Sequence, residues 1–200
     1  KESSAASDVY KRQVVTELIR LYRQQYPDVE MTLSQDDSET LVTQLRDGKI
    51  DAAFVRPPFA MDGGLRFLQL TEEPLMVALP LGHALARRKR LAPADLAQER
   101  FIQYSRKSGY GLSADIMAAC RQHGLNPLPG QRAPQLSSAV NLVAAGMGVA
   151  IVPASLRHLR PDGVVYRPFA LDWPRAVLGL AVREDTPGGR VANLLALAQG

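Results

Sequence analysis

The chain has 200 residues, of which 46% are hydrophobic and 22% charged, and a formal net charge of +4. This composition is that of a folded globular protein with one substantial core or two small cores of roughly 100 residues each. No apolar run approaches the roughly 20 residues of a membrane helix, and the first residues are too polar for a signal peptide. We therefore expect a cytoplasmic protein that makes no membrane contact.

The first part of the chain alternates helix and strand patterns. Apolar residues at helical spacing predict a helix over Val14–Gln25, and the alternation of Val29–Leu33 predicts a strand. A second helix should begin near Glu39 after possible caps at Asp36, Asp37 and Ser38, and a short apolar strand should follow at Ile50–Val55. The order α-β-α-β predicts parallel strands with right-handed crossovers, and hence an α/β fold.

The remaining predicted elements continue the α/β pattern. They are an extended segment at Leu65–Leu70, strands at Leu75–Leu79, Phe101–Tyr104, Val164–Tyr166 and Leu178–Val182, and helices at Pro93–Ala97, Leu112–His123 and about Gly189–Ala198.

The most informative stretch is Asn141–Ser155. It begins as a helix, breaks at Gly146 and Gly148, and resumes as a buried strand that stops at Pro153. A helix joined this tightly to a strand is typical of α/β sheets whose edge meets a ligand cleft.

Three features of the sequence could suggest nucleic-acid binding, thiol chemistry or a metal site, and none of these functions is supported by the surrounding residues. The basic cluster Arg87–Arg90 has no interleaved aromatic residues and no nucleic-acid motif beside it, so we expect a solvated loop. Cys120 cannot form an internal disulfide, and its helical context predicts a buried thiol. The three histidines have no metal-ligand spacing and no obvious nucleophile partner. We therefore predict that the chain is not an enzyme and holds neither a metal nor a cofactor.

Several phrases occur in the order and spacing found in LysR-type transcriptional regulators. They are YPDVEMTL (26–33), LRDGKIDAAFVRPP (45–58), PLMVALPLGHALA (74–86), NLVAAGMGVAIVPAS (141–155) and LGLAVRED (178–185). From about Val14 to the C-terminus the chain resembles the effector-binding, or substrate-binding, domain of that family. The resemblance implies a type 2 periplasmic-binding-protein-like fold, with two doubly wound α/β lobes joined by two crossing strands. The lobes would comprise residues 1–77 with 177–200, and residues 78–176.

The resemblance also implies a function and partners. A small effector would be held between the lobes to modulate transcription, and we expect an organic acid. The winged helix-turn-helix of such regulators has no counterpart in these residues, so DNA would be bound only through a missing N-terminal domain. The family arrangement implies a homodimer or tetramer through effector domains, with Val14–Gln25 of one chain against a second-lobe helix of another. Leu18, Leu21 and Tyr22 give that helix more apolar width than one sheet face needs, although an intramolecular core would look similar.

In the first lobe, candidate effector contacts lie where a helix begins and a strand ends. Ser38 is expected to cap its helix, where its hydroxyl and the adjacent amides could hold a carboxylate; a plain N-cap is the alternative. Arg56 ends a strand before Pro57-Pro58 and could fork to a carboxylate or stabilise a loop. In the resemblance, both positions contribute to effector binding in aromatic-acid-responsive members. Ser4 or Ser7 would be the first-lobe turn residue before the first helix.

In the second lobe, Tyr110, Gly111 and Leu112 open a helix and match positions that face the effector in those members. Ser113 could cap that helix. Gln103 and Tyr104 end the preceding strand, and a half-buried packing role is the alternative for Tyr104. Gln135, Ser137 and Ser138 lie just before the helix that leads into Asn141–Ser155, so their side chains or amides could also face the cleft.

A solute-binding protein of a transporter has the same fold and is the alternative. The lack of a signal peptide and of disulfide pairs argues against it, although a truncated chain would have lost its leader.

Overall fold

The computed structural model describes residues 14–60, 64–104, 111–158, 162–185 and 189–200. In these ranges the helices are α1 (Val14–Gln25), α2 (Ser38–Arg46), α3 (Gly111–Gln122), α4 (Leu136–Ala144) and α5 (Arg190–Gln199). The strands are β1 (Ala52–Val55), β2 (Leu65–Pro80), β3 (Arg100–Tyr104), β4 (Leu128–Ala133), β5 (Ala150–Pro153), β6 (Val164–Pro168) and β7 (Arg175–Arg183). Single 3-10 turns lie at Ala84–Arg87, Pro93–Leu96 and Ala154–His158.

The chain divides into two compact units, each with helices packed on strands. Unit 1 combines residues Lys1–Glu72 with Val177–Gly200, and unit 2 is Glu73–Ala176. The chain leaves unit 1 within β2 and returns to it within β7. The α/β fold class predicted from the sequence is thus observed in both units.

In unit 1, β7 lies between β1 and β2. Its alternating side chains enter two different cores: Ala181 packs with Val42 and Leu45 of α2, whereas Leu180 and Val182 pack with α1 and α5. Successive side chains of β7 point to opposite faces of the sheet, and each face is covered by helices. A Cβ at Gly179 would collide with the Phe67 ring and the Leu68 carbonyl, so only glycine allows this close approach of β7 to β2.

Two expectations for unit 1 were wrong. The strand beside β1 is β7, which runs antiparallel to it with Ala52 opposite Val182, because the neighbour of β1 is the returning C-terminal segment and not the next strand in sequence. The predicted strand at 29–33 is not formed, since that segment has no ladder partner among the described residues. Its apolar and polar side chains nevertheless alternate in exposure. Val29 and Met31 pack against the α1–α5 core, whereas Glu30 and Thr32 are exposed.

Parallel strands, which the sequence predicted for the first part of the chain, are found in unit 2. Strands β3 and β4 pair in parallel, and a parallel bridge joins Phe101 to Val149 at the start of β5. Strand β2 pairs antiparallel with both β5 and β6. The helices α3 and α4 contribute buried residues to one core, among them Ile116, Cys120 and Val143.

The join predicted at Asn141–Ser155 is confirmed. Helix α4 ends at Ala144, and Gly146 and Gly148 take φ values of 74° and 144° before β5 begins. A Cβ at Gly148 would collide with the Arg100 carbonyl, whose oxygen accepts the Val149 N–H at 2.9 Å. Glycine is therefore required both by the backbone angle and by the neighbouring strand.

Other differences concern strand extent and helix starts. Residues 65–80 form one continuous strand and not two separate segments. Strand β4 was not predicted because LPGQRA has neither apolar alternation nor β-branched residues; its pairing with β3 creates it. Ser113 is not a cap, since α3 already begins at Gly111. The residues Arg87–Arg90 are exposed, as expected.

None of the helices within the described ranges has the length and apolar character needed to cross a membrane.

Candidate functional site

In unit 1 the structure brings together the two polar residues that the sequence singled out. The Ser38 hydroxyl accepts a hydrogen bond from the Arg56 backbone N–H at 3.0 Å. Ser38 is the first residue of α2 and Arg56 directly follows β1, so the bond joins a helix N-terminus to a strand C-terminus. Both residues are half-buried. A serine hydroxyl, first-turn amides and a guanidinium are thus gathered at one edge of unit 1.

The cap of α2 is Asp37 and not Ser38. The Asp37 carboxylate accepts the Thr40 N–H at 2.9 Å, with Asp37 in the extended conformation that an N-cap requires. Asp37 is one of the three possible caps that the sequence offers, and Ser38 is not the one used. Consecutive aspartate and serine residues are nearly equal cap formers, so the path of the chain into the helix decides between them. The result leaves the Ser38 hydroxyl to bond Arg56.

The Arg56 guanidinium has a backbone contact as well. Its Nη1 donates to the Val177 carbonyl at 3.4 Å, at the long end of the hydrogen-bond range. Val177 is the residue at which β7 enters unit 1. Arg56 therefore contacts both the start of α2, through its N–H, and the returning strand, through its side chain.

The electrostatics of this edge decide which group would hold an anion. Asp37 caps α2 and Glu39 lies in its first turn. These two carboxylates already compensate the positive end of the helix dipole. The dipole contributes only about 0.3–1 kcal/mol to anion binding at an exposed terminus, whereas a charge-assisted hydrogen bond contributes about 1.5–3 kcal/mol. Arg56 is therefore the group on which anion binding at this edge would depend.

In unit 2, strand ends and helix starts meet at one edge as well. Because β3 and β4 are parallel, Gln103 lies opposite Arg132 near their carboxyl ends, and α3 and α4 begin after these two strands. The N-cap of α4 is Gln135, whose side chain makes no capping hydrogen bond. Arg132 was not anticipated, because β4 carries no strand pattern in the sequence.

The other predicted unit 2 residues have different environments. Gly111 is half-buried at the start of α3 with a φ of 63°. The Leu112 side chain is only 6% exposed and belongs to the core, which leaves its backbone as the part able to meet a ligand. Ser137 is exposed and Ser138 half-buried, and both lie inside the first turn of α4 rather than before it. Tyr104 is a packing residue whose hydroxyl donates to the Ile151 carbonyl at 2.7 Å.

Two predicted contacts, Ser4 and Tyr110, lie outside the described residues. The assignment of these residues to an effector site stays a prediction.

Burial shifts the titration of two groups on α3. It raises the pKa of the Asp115 carboxyl, and it raises the pKa of the Cys120 thiol to about 11. Cys120 is fully buried, so the predicted buried thiol is confirmed. Among the described residues, no group of histidine, cysteine, aspartate and glutamate side chains could hold a metal ion.

Similarity to known proteins was assessed with the fold and site in hand. A family model described as the LysR substrate binding domain matches residues 5–199. The HTH-type transcriptional regulator CatR of Pseudomonas putida is 37% identical over 164 residues, which are 81% of this chain and 54% of CatR. The dual regulator OxyR of Escherichia coli K12 is 30% identical over 172 residues, 85% of this chain and 55% of OxyR. The chain thus spans about half the length of these relatives.

A solved structure has the same architecture. The effector binding domain of BenM, determined with its effector benzoate, superposes with a TM-score of 0.79 at 26% identity, over 96% of this chain and 86% of that one. The similarity covers both units and confirms the type 2 periplasmic-binding-protein-like fold expected from the sequence.

Proposed function

Because the chain belongs to the LysR substrate binding domain family, we propose that it senses a small organic acid held between its two units, and that binding modulates transcription by a longer regulator. As the ligand-binding domain of a family of transcriptional regulators, it is not an enzyme. DNA would be recognised by another part of such a regulator, since the chain matches only about half of CatR and OxyR. The solute-binding-protein alternative has less support, because these relatives are regulators.

The observation that carries the proposal is the hydrogen bond between Ser38 and Arg56. It holds a guanidinium-bearing residue against the start of α2. A guanidinium presents a planar fork of donors that matches a carboxylate, and the first-turn amides of a helix add further donors. The Asp37 and Glu39 carboxylates would repel an anion that lacked the Arg56 contact. A ligand carboxylate that accepts two hydrogen bonds from the Arg56 guanidinium would outweigh this repulsion.

Unit 2 would supply the remaining contacts. Gln103 and the α4 N-terminus offer neutral hydrogen-bonding groups at one strand edge, with Gly111 at the start of α3. A ligand that contacts both units would favour the arrangement in which both sets of groups reach it, and only such a preference can shift a conformational equilibrium. Gly111, Leu112, Tyr110, Ser4 and Ser137 remain proposed contacts of this kind.

One relative is named a hydrogen peroxide-inducible genes activator, but a response to peroxide through a thiol has no support in this chain. Such a response requires an accessible cysteine with a lowered pKa. Cys120 is the single cysteine of the sequence; it is buried, and its pKa is raised to about 11. A reversibly bound acid therefore fits the described residues better than an oxidant.

The proposal is tested by a thermal-shift titration with benzoate, the effector named for BenM, followed by muconate and other small carboxylates. We expect at least one acid to raise the Tm of the wild-type chain, and Arg56→Ala to weaken its binding by about tenfold or more, as expected for loss of a charge-assisted pair. Arg66→Ala, an exposed charge loss on β2, is the matched control and should bind normally. An acid that stabilises wild-type and Arg56→Ala equally would remove Arg56 from the site.

The proposed homodimer would use the outer face of α1. Leu18 and Tyr22 are buried in the unit 1 core, so their side chains are not available to contact a second chain. Among the apolar residues of the helix, Leu21 is 36% exposed, and Val14, Val15 and Ile19 are half-buried. Size-exclusion chromatography with light scattering should show a dimer that Leu21→Glu weakens. A concentration-independent monomer would count against it.

A further inference from the structure

We propose that Arg56 is also a positioning residue: its guanidinium restrains the start of the unit 1 segment of β7, and an anion bound to Arg56 releases that restraint. This inference rests on the proposed function of the same site. It assigns to one side chain both the recognition of the ligand and the first structural response to it.

The restraint follows from two contacts of one residue. The Arg56 backbone is held by the Ser38 hydroxyl at 3.0 Å, so the residue is anchored to the α2 N-terminus. From that anchor, Nη1 donates to the Val177 carbonyl at 3.4 Å. Val177 is the first residue of β7 that belongs to unit 1, and Ala176 is the last residue of unit 2. The guanidinium thus bonds the returning strand at the position where the chain passes between the units.

The release follows from the relative strength of the two acceptors. Val177 offers a neutral carbonyl at a long distance, whereas a ligand carboxylate offers two charged oxygens. Hydrogen bonds between ionised partners are roughly twice as strong as neutral ones, and the rigid guanidinium plane reorients as a unit. A carboxylate bound in two places will therefore draw the guanidinium from Val177. The peptide group between Val177 and Leu178 then loses a bond to unit 1.

The experiment is hydrogen–deuterium exchange of a peptide spanning Arg175–Arg183, measured for the whole chain with and without saturating benzoate. Four proteins are compared: wild type, Arg56→Gln, Ser38→Ala and Arg66→Gln. Without ligand, we expect Arg56→Gln to raise exchange at the start of β7 about threefold, as for loss of one weak hydrogen bond. Ser38→Ala keeps the guanidinium but removes the anchor of the Arg56 backbone, so it should raise this exchange too, by no more than Arg56→Gln does. Arg66→Gln controls for charge and should stay near the wild-type rate.

The measurement with benzoate tests whether Arg56 transmits ligand binding to β7 or only stabilises the strand. Benzoate should raise exchange at the start of β7 in wild type and Arg66→Gln, and should have no effect there in Arg56→Gln, whose strand is already released. Unchanged exchange in ligand-free Arg56→Gln overturns the restraint. Lowered or constant exchange in wild type with bound benzoate overturns the release. If neither benzoate nor any other carboxylate raises the Tm of the wild type, the proposed function and the release are both contradicted, while the ligand-free comparison still decides the restraint.

Discussion

The carboxylate of Glu73 accepts two hydrogen bonds from Ser155, one from the backbone N–H at 2.6 Å and one from the hydroxyl at 3.0 Å. Glu73 is the first residue of unit 2 on β2, and Ser155 lies just beyond the end of β5. The pair extends the contact between these strands past their last ladder position, Leu75 opposite Pro153. It thereby holds the end of the helix–glycine–strand stretch of Asn141–Ser155 against the strand that enters unit 2.

Disrupting this pair should destabilise the chain in a coupled way. Glu73→Gln loses the ionised acceptor and Ser155→Ala loses the hydroxyl donor, and each should lower the free energy of unfolding by about 1 kcal/mol. Because Glu73→Gln weakens the hydroxyl bond that Ser155→Ala removes, the double variant should cost less than the sum of the single changes, by about 0.5–1 kcal/mol. Urea denaturation of the four proteins measures this coupling, and strict additivity would contradict it.

Arg183 should be a larger contributor to unit 1 stability. Its Nη1 donates to the carbonyls of Leu45 at 2.7 Å and Ile50 at 2.8 Å, which joins the end of α2 to the segment before β1. Arg183→Met keeps much of the aliphatic stem and loses both bonds, so we expect a loss of about 1–3 kcal/mol in unfolding free energy. Arg66→Met, at an exposed position on β2, should change stability by less than about 0.5 kcal/mol. Equal effects of the two changes would show that the carbonyl contacts contribute nothing.

Because of Cys120, the free energy of unfolding should fall as the pH rises through the alkaline range. Burial raises the pKa of its thiol from 9.0 to about 11 in the folded chain. Between these values the unfolded chain loses the proton and the folded chain keeps it. The stabilising contribution is therefore complete below pH 9 and is lost as the pH rises to about 11.

The control for this effect is Cys120→Ala, which should show a smaller fall in unfolding free energy over the same pH interval. The raised pKa values of the Tyr22 and Tyr166 hydroxyls act in the same direction in both proteins, so the difference between the two proteins reports the thiol. A thiol reagent should also react with wild type only after unfolding. Rapid modification of the folded chain would contradict the burial.

His123 should control the environment of Trp173, the single tryptophan of the sequence. The Trp173 ring stacks on Phe169 with a centroid separation of 3.9 Å, and on His123 at 4.9 Å. Removing the imidazole in His123→Ala uncovers the indole, so we expect a red shift of the fluorescence emission and a stability loss of about 0.5–1.5 kcal/mol. His158→Ala is the matched control. An unchanged spectrum in His123→Ala would mean that the stack does not persist in solution.

The sequence by itself determined the elements whose side chains repeat with a clear period. Helices α1 and α3 lie where apolar spacing predicted them, and the helix–glycine–strand stretch of Asn141–Ser155 is formed as expected, because local sterics and one-sided burial act within a few residues. The burial of Cys120 follows from the same helical stripe. The resemblance to a family then supplied the identity of the fold.

Only the tertiary structure decided which elements pair and what each polar group does. Strand β7 lies beside β1, β4 exists through its pairing with β3, and the segment 29–33 pairs with no strand in the described part of the chain. These outcomes depend on partners that are distant in sequence. The Ser38 hydroxyl could likewise accept an N–H of its own helix, as a cap, or an N–H distant in sequence. Because Asp37 caps the helix, Ser38 accepts the Arg56 N–H. Local patterns specify which face of an element is buried, whereas hydrogen-bond partners across the chain are set by the packing of the whole unit.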